Sequence, residues 1–125
     1  MEKKIILSTS APSPIGPYSQ AVLTGNTLYC SGQIALDSNG TFHNETVESE
    51  AKQVMVNIGH VLKASGMDYS NIVKTSIFLT DMNDFGTVNT IYASYFTGDF
   101  PARETVQVSA LPKGARVEIS VIAVK

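Results

Sequence analysis

Apolar and polar residues alternate with two different periods along this chain, and the switches between them outline the elements. Lys3 to Ser8 is a short run of strand character. It leads into Ser10-Ala-Pro12-Ser-Pro14-Ile-Gly16-Pro17, where the proline density excludes a helix or a central strand. Gln20–Thr24 and Thr27–Ser31 are β-favourable runs split by Gly25-Asn26, which predicts a hairpin. Asp37-Ser-Asn-Gly40 predicts a turn. The period then changes. Ala51, Val54, Met55, Ile58, Val61 and Leu62 fall on one helical face, with Thr46 placed to cap the start and Gly66 to end it. Glu48 and Glu50 suit the first turn electrostatically.

The second half repeats the change of period. Ile72–Thr80 is β-branched and predicts a strand. From Asp84 to Phe96, Phe85, Val88, Tyr92 and Tyr95 share a face, and Gly98 follows as a stop. Two alternating runs close the chain, Glu104–Ala110 and Arg116–Val124, joined by Leu111-Pro-Lys-Gly114-Ala. The order β-β-β-α-β-α-β-β predicts one α+β domain over residues 1–125, a mixed sheet with both helices on one face. The other sheet face then needs cover, and a second copy of the chain supplies it most simply.

Composition narrows the function classes. The 125 residues carry 9 basic and 11 acidic side chains, a net charge of −2, which argues against a dedicated nucleic-acid binder. Hydrophobic residues make up 43%, enough for a core and too many for a disordered chain. No run approaches the ~18 apolar residues of a membrane span, and Ile5-Ile6-Leu7 is too short for the apolar region of an export signal. With one cysteine, Cys30, the expected compartment is the reducing cytosol, so a cytoplasmic protein is expected. The glycosylation patterns at Asn39 and Asn44 then read as chance matches.

Metal binding is not expected. His43, His60 and Cys30 show no ligand spacing, and Cys30 reads as a small buried hydrophobe. Nucleophile-elbow, phosphate-loop and dinucleotide motifs are absent. Arg103 and Glu118 carry more information. Arg103 shares the parity of Thr105 and Gln107, opposite Val106 and Val108, and an arginine on a rigid strand suits a bidentate carboxylate clamp. A solvated strand-edge arginine fits the same pattern. Glu118 interrupts an apolar strand, where a partly desolvated carboxyl can act as acid or base, or else simply face solvent. If 111–115 is a tight turn, Glu118 faces Val108 and lies five residues, ~16 Å, from the level of Arg103. A shared site then needs strong curvature or one residue from each of two chains. Tyr18 and Asn89 stand out by no pattern of their own.

Several motifs together resemble the RidA/YjgF family: Ile15-Gly-Pro-Tyr-Ser-Gln20, Ser31-Gly-Gln-Ile34, Ile72-Val-Lys-Thr75, Asp81-Met-Asn-Asp-Phe85 with Val88-Asn-Thr-Ile-Tyr92, and Phe100-Pro-Ala-Arg103 through Leu111-Pro to Val117-Glu-Ile119. The resemblance runs nearly end to end. It implies a chorismate-mutase-like subunit with a six-stranded mixed sheet, assembled as a homotrimer with active sites between subunits. It also implies hydrolysis of 2-imino and enamine acids, such as 2-iminobutanoate and 2-iminopropanoate, to 2-keto acids and ammonia. By position, Arg103 would hold the substrate carboxylate and Glu118 the water. Tyr18 and Asn89 would line the pocket, Gly32 would make a backbone contact, and Thr105 would stand where many members carry cysteine. No cofactor, metal, nucleic acid or membrane partner is implied. Two rival expectations are a non-catalytic sensor of small keto or imino acids and an RNA-directed translation inhibitor.

Overall fold

The structure is a computed structural model and describes residues 2–125. Six strands form one sheet: β1 (Lys3–Ile6), β2 (Ala21–Thr24), β3 (Thr27–Gln33), β4 (Ile72–Leu79), β5 (Ala102–Gln107) and β6 (Val117–Val124), in the spatial order β1-β2-β3-β6-β4-β5. Helix α1 (Val47–Ala64) connects β3 to β4, and α2 (Phe85–Ala93) connects β4 to β5. Only β4 and β5 are parallel, because only they are adjacent and joined by a helical crossover. The mixed sheet with two helices is therefore as the element order predicts.

Local signals account for most boundaries. Gly25-Asn26 closes the β2–β3 hairpin, with Thr24 paired to Thr27. Thr46 caps α1, its Oγ1 accepting from the Ser49 amide at 3.0 Å. Gly66 ends that helix at φ +75°, a left-handed conformation that costs glycine little. The apolar face of α1 packs Val54, Met55, Ile58, Val61 and Leu62 against Leu28, Ile77, Leu79, Val117 and Ile119 of the sheet, all essentially inaccessible. Val88 and Tyr92 of α2 join the same core.

Some expectations do not hold. The last two strands do not form a hairpin: β6 lies between β3 and β4, and β5 pairs with β4 at the sheet edge. Glu118 is level with Phe78, not Val108. Alternation along a strand reports which side chains share a face; it does not name the neighbouring strand. The run expected over 104–110 starts earlier and stops at Gln107, and its apolar member Val106 is 43% exposed. Helix α2 ends at Ala93, short of Phe96, and begins after a 3₁₀ turn at Met82–Asp84. β1 ends at Ile6.

Glu50 lies in the first turn of α1, as expected. It is also fully buried there, and accepts from the Arg116 amide (2.6 Å), the Arg116 Nε (2.9 Å) and the Val117 amide (3.3 Å). It therefore anchors the start of β6 to α1. On the sheet face away from the helices, Ile5, Val22, Tyr29 and Ile122 form a row across four strands, with Ile5 and Tyr29 half exposed.

Candidate active site

Two separate sites emerge, one on each face of the sheet. Arg103 is level with Thr75, and Thr105 with Ile77. Thr75 and Ile77 are buried beneath the helices, so Arg103 and Thr105 also point to the helix side. There, beyond the sheet edge, α2 receives the guanidinium. Arg103 Nη1 donates to Asn89 Oδ1 at 2.7 Å, and its Cζ lies 5.6 Å from the Phe85 ring centre and 5.2 Å from that of Tyr92. Cations gain at these distances from the negative ring faces. The Tyr92 hydroxyl donates to Thr75 Oγ1 at 3.0 Å, which fixes the ring. A recess of about 420 Å³ opens here, lined by Asn89, Tyr92, Ala93, Phe100, Pro101 and Arg103. The Thr105 hydroxyl, beside it on the strand, is buried without a hydrogen-bond partner.

Glu118 points the other way. Its neighbours on β6, Val117 and Ile119, are core residues, so its parity places it on the open face. The carboxyl lies directly on Gly32. A β-carbon at that position would sit 2.7 Å from Glu118 Oε2 and 2.8 Å from its Cδ, so only glycine fits without displacing the acid. The close approach coincides with a bulge in the β3–β6 ladder between Cys30 and Gln33. A cleft of about 80 Å³ surrounds the carboxyl, walled by Ile15, Tyr18, Ile34 and Pro112, and is large enough for water. Burial of the carboxyl in this wall raises its pKa above the ordinary value.

The structure thus groups Arg103, Asn89 and Thr105 together, and Glu118, Tyr18 and Gly32 together. It does not bring the groups together within one chain. Arg103 and Glu118 are two strands and three residue levels apart, ~14 Å between backbones, and on opposite faces. Polar parity was read correctly on each strand. The polar side of β5 turns toward the helices, whereas that of β6 turns away.

Two positioning residues escaped the sequence reading. Gln20, fully buried, donates from Nε2 to the carbonyls of Ser8 (3.1 Å) and Pro12 (2.9 Å), and accepts from the Ser8 amide (2.6 Å). It holds the Pro12 loop as a wall of the Glu118 cleft. Asn57, buried on α1, donates to the carbonyls of Ile34 (3.0 Å) and Leu36 (2.7 Å) behind the opposite wall. The one available signal was a polar residue next to an apolar periodic set. Cys30 is buried as expected, and desolvation pushes its thiol up to about 12, which leaves it inert at neutral pH.

Fold and sites define the class: an α+β domain with a cationic recess on one face of its sheet and a protonatable carboxyl on the other. Residues 8–125 match the family described as Endoribonuclease L-PSP. A mouse protein named 2-iminobutanoate/2-iminopropanoate deaminase is 56% identical over 98% of this chain and 92% of its own. The human protein of the same name is 52% identical over 98% of this chain and 90% of its own. A Yersinia pestis structure, described as YyfA of the conserved Rid protein family, superimposes with a TM-score of 0.96 at 50% identity, covering 99% of this chain and all of that one. The chain belongs to the Endoribonuclease L-PSP family, the RidA/YjgF group that its motifs resemble.

Proposed function

We propose that this protein hydrolyses 2-imino acids, with 2-iminobutanoate and 2-iminopropanoate as reference substrates, to 2-keto acids and ammonia. The names of its deaminase relatives support the reaction class. One observation carries the assignment of roles: a ring-stacked guanidinium and a carboxyl of raised pKa over a bare glycine are the two groups such a reaction needs.

The substrate is a small anion with an electrophilic C=N carbon. Arg103 takes its carboxylate in a fork of N–H donors, and the ring stack and Asn89 fix the direction of that fork. Binding then presents the imine carbon in one orientation. An enamine must first gain a proton at carbon to become the imine. Glu118, ionised, accepts a proton from water while the water oxygen bonds to the imine carbon and the C=N electron pair moves to nitrogen, which takes that proton from the acid. The carboxylate then takes the proton of the new hydroxyl and passes it to the amino nitrogen, so that the C–N bond breaks, C=O forms and ammonia leaves. A raised pKa suits this double duty, because the carboxyl gains and loses a proton with less bias. No electron is transferred and no covalent intermediate with the protein is needed.

Because Arg103 and Glu118 occupy opposite faces, the complete site joins the Arg103 recess of one copy to the Glu118 cleft of another. Two unlike surfaces meeting in this way form a heterologous contact, which gives a ring when the rotation between copies closes. The family resemblance supports a ring of three, a chorismate-mutase-like homotrimer whose open sheet faces cover one another. Tyr18 and Thr105 would complete the pocket walls.

The test is to generate 2-iminobutanoate in situ from threonine with a dehydratase and follow release of the keto acid. Wild type is expected to accelerate release, and Arg103→Ala to lose about 10- to 100-fold in kcat/KM, the worth of charge-assisted hydrogen bonds. Keto-acid binding without acceleration by folded protein would replace this reading with that of a sensor.

A further inference from the structure

Enamine hydrolysis calls for two kinds of proton transfer: one to carbon, which makes the imine, and those that add water and release nitrogen. The side chains lining the two pockets offer one group for all of them. In the recess, Arg103 keeps its proton at any ordinary pH, and the Tyr92 hydroxyl is engaged with Thr75 while burial pushes its pKa up. The cleft has two ionisable side chains, Tyr18 and Glu118, and phenols ordinarily titrate at about 10. Among the described residues, no histidine, lysine or cysteine lines either pocket. Glu118 is also uncommitted. Glu50, the fully buried carboxyl, is spent on Arg116 and Val117, whereas burial is the one influence on the Glu118 carboxyl. The Glu118 oxygens lie over Gly32 in a cleft of about 80 Å³, which admits water as a source and sink of protons.

We infer that this protein also interconverts the keto and enol forms of small 2-keto acids, with Glu118 removing and returning a proton on C3 of an acid held by Arg103. The inference rests on the deaminase reading for the site that the two residues share. A 2-keto acid is the imine with oxygen in place of N–H, so the clamp that holds one holds the other. Ionised Glu118 takes a proton from C3, the C–H electron pair becomes the C2=C3 bond, and the carbonyl pair moves to oxygen. Arg103 has N–H donors to spare beyond the one given to Asn89, and its charge offsets that of the enolate. Protonated Glu118 exchanges with water in the cleft and returns a solvent proton to C3 as the carbonyl is restored. Nothing is oxidised or reduced. Run on an enamine, the second half is the carbon protonation that makes the imine, which gives that step to the same residue. Seated on Gly32, Glu118 reaches C3 from one side and so selects one of its two hydrogens.

The test incubates 2-oxobutanoate with the protein in D₂O near neutrality and follows the C3 hydrogens by proton NMR. Reduction to 2-hydroxybutanoate by a stereospecific dehydrogenase then makes the two hydrogens distinct. With wild type saturated, one hydrogen is expected to exchange about 10²-fold faster than in buffer, the lower end of what a positioned acid–base group supplies. Glu118→Gln, its fold confirmed by circular dichroism, should exchange at the buffer rate. It keeps every lysine, so it separates the carboxyl from exchange through surface amines. Should it fail to fold, Arg103→Ala takes its place and should lose exchange at low keto-acid concentration. Wild-type exchange at the buffer rate, exchange of both hydrogens alike, or exchange that survives the folded variant overturns the tautomerase. Deamination of 2-iminobutanoate is measured on the same preparations. Deamination without exchange overturns the tautomerase and leaves the deaminase reading intact, whereas selective, Glu118-dependent exchange without deamination supports the tautomerase and removes the deaminase reading.

Discussion

Arg103 and Glu118 project from opposite faces of the same sheet. Arg103 is level with buried Thr75 and reaches α2, whereas Glu118 is level with Phe78 and lies on Gly32 at the open face. The proposed chemistry needs both beside one small molecule, so the relationship makes a test of assembly possible.

Two impaired variants should rescue each other. Arg103→Ala spoils one kind of surface and Glu118→Gln the other. After subunit exchange in an equal mixture, a site with both native residues forms in roughly one contact of four. Activity should rise from the residual level of the two variants to about a quarter of wild type. A mixture no more active than its components would show that each chain carries a complete site of its own.

Gly32→Ala should damage catalysis more than folding. The new methyl meets Glu118 Oε2, Cδ and Cγ at 2.7 to 3.0 Å, and the carboxyl is the part free to move. Overpacking of this kind costs about 1–3 kcal/mol, while misplacing a reacting group by about 1 Å can cost 10²-fold in rate. Urea unfolding and kcat/KM on the same preparation separate the two effects.

Burial of Glu118 has consequences for pH in both activity and stability. Acting as a base, it must be ionised, so kcat/KM should fall as pH drops, with a limb displaced above the ordinary value of 4.5. For stability the sign is opposite. The folded chain holds this proton more tightly than the unfolded chain, so this carboxyl's contribution to stability declines as pH rises through the folded pKa. Glu118→Gln should therefore be more stable than wild type at neutral pH, and the advantage should vanish below the unfolded pKa. A thermal unfolding series of both proteins from pH 4 to 8 checks the sign.

Glu50→Ala should destabilise strongly. It leaves the Arg116 and Val117 amides without their acceptor and the Arg116 guanidinium without its partner. Each buried amide left without an acceptor costs about 1–3 kcal/mol, and the guanidinium adds less, because it is partly exposed and still donates to the Asn44 carbonyl. Glu50→Gln keeps an acceptor and should cost less. Equal losses in chemical denaturation would mean that the charge, not the hydrogen-bond geometry, holds the start of β6.

Local order was legible in the residues themselves. The face of α1 from Ala51 to Leu62, the Thr46 cap, the Gly25-Asn26 hairpin and the parity of each strand are short-range properties, decided within a few positions by sterics, capping and turn chemistry. The same residues placed Arg103 and Glu118 on the polar sides of their strands. Only the tertiary structure decided that β6 lies between β3 and β4, that the polar sides of β5 and β6 face opposite ways, and that Glu50, Gln20 and Asn57 are buried. Strand order depends on contacts between residues far apart in the chain, and the period of two is the same whichever face turns inward. A buried polar residue looks like a surface one until its partners, such as the Arg116 amide for Glu50 or the Pro12 carbonyl for Gln20, are brought to it by the rest of the fold.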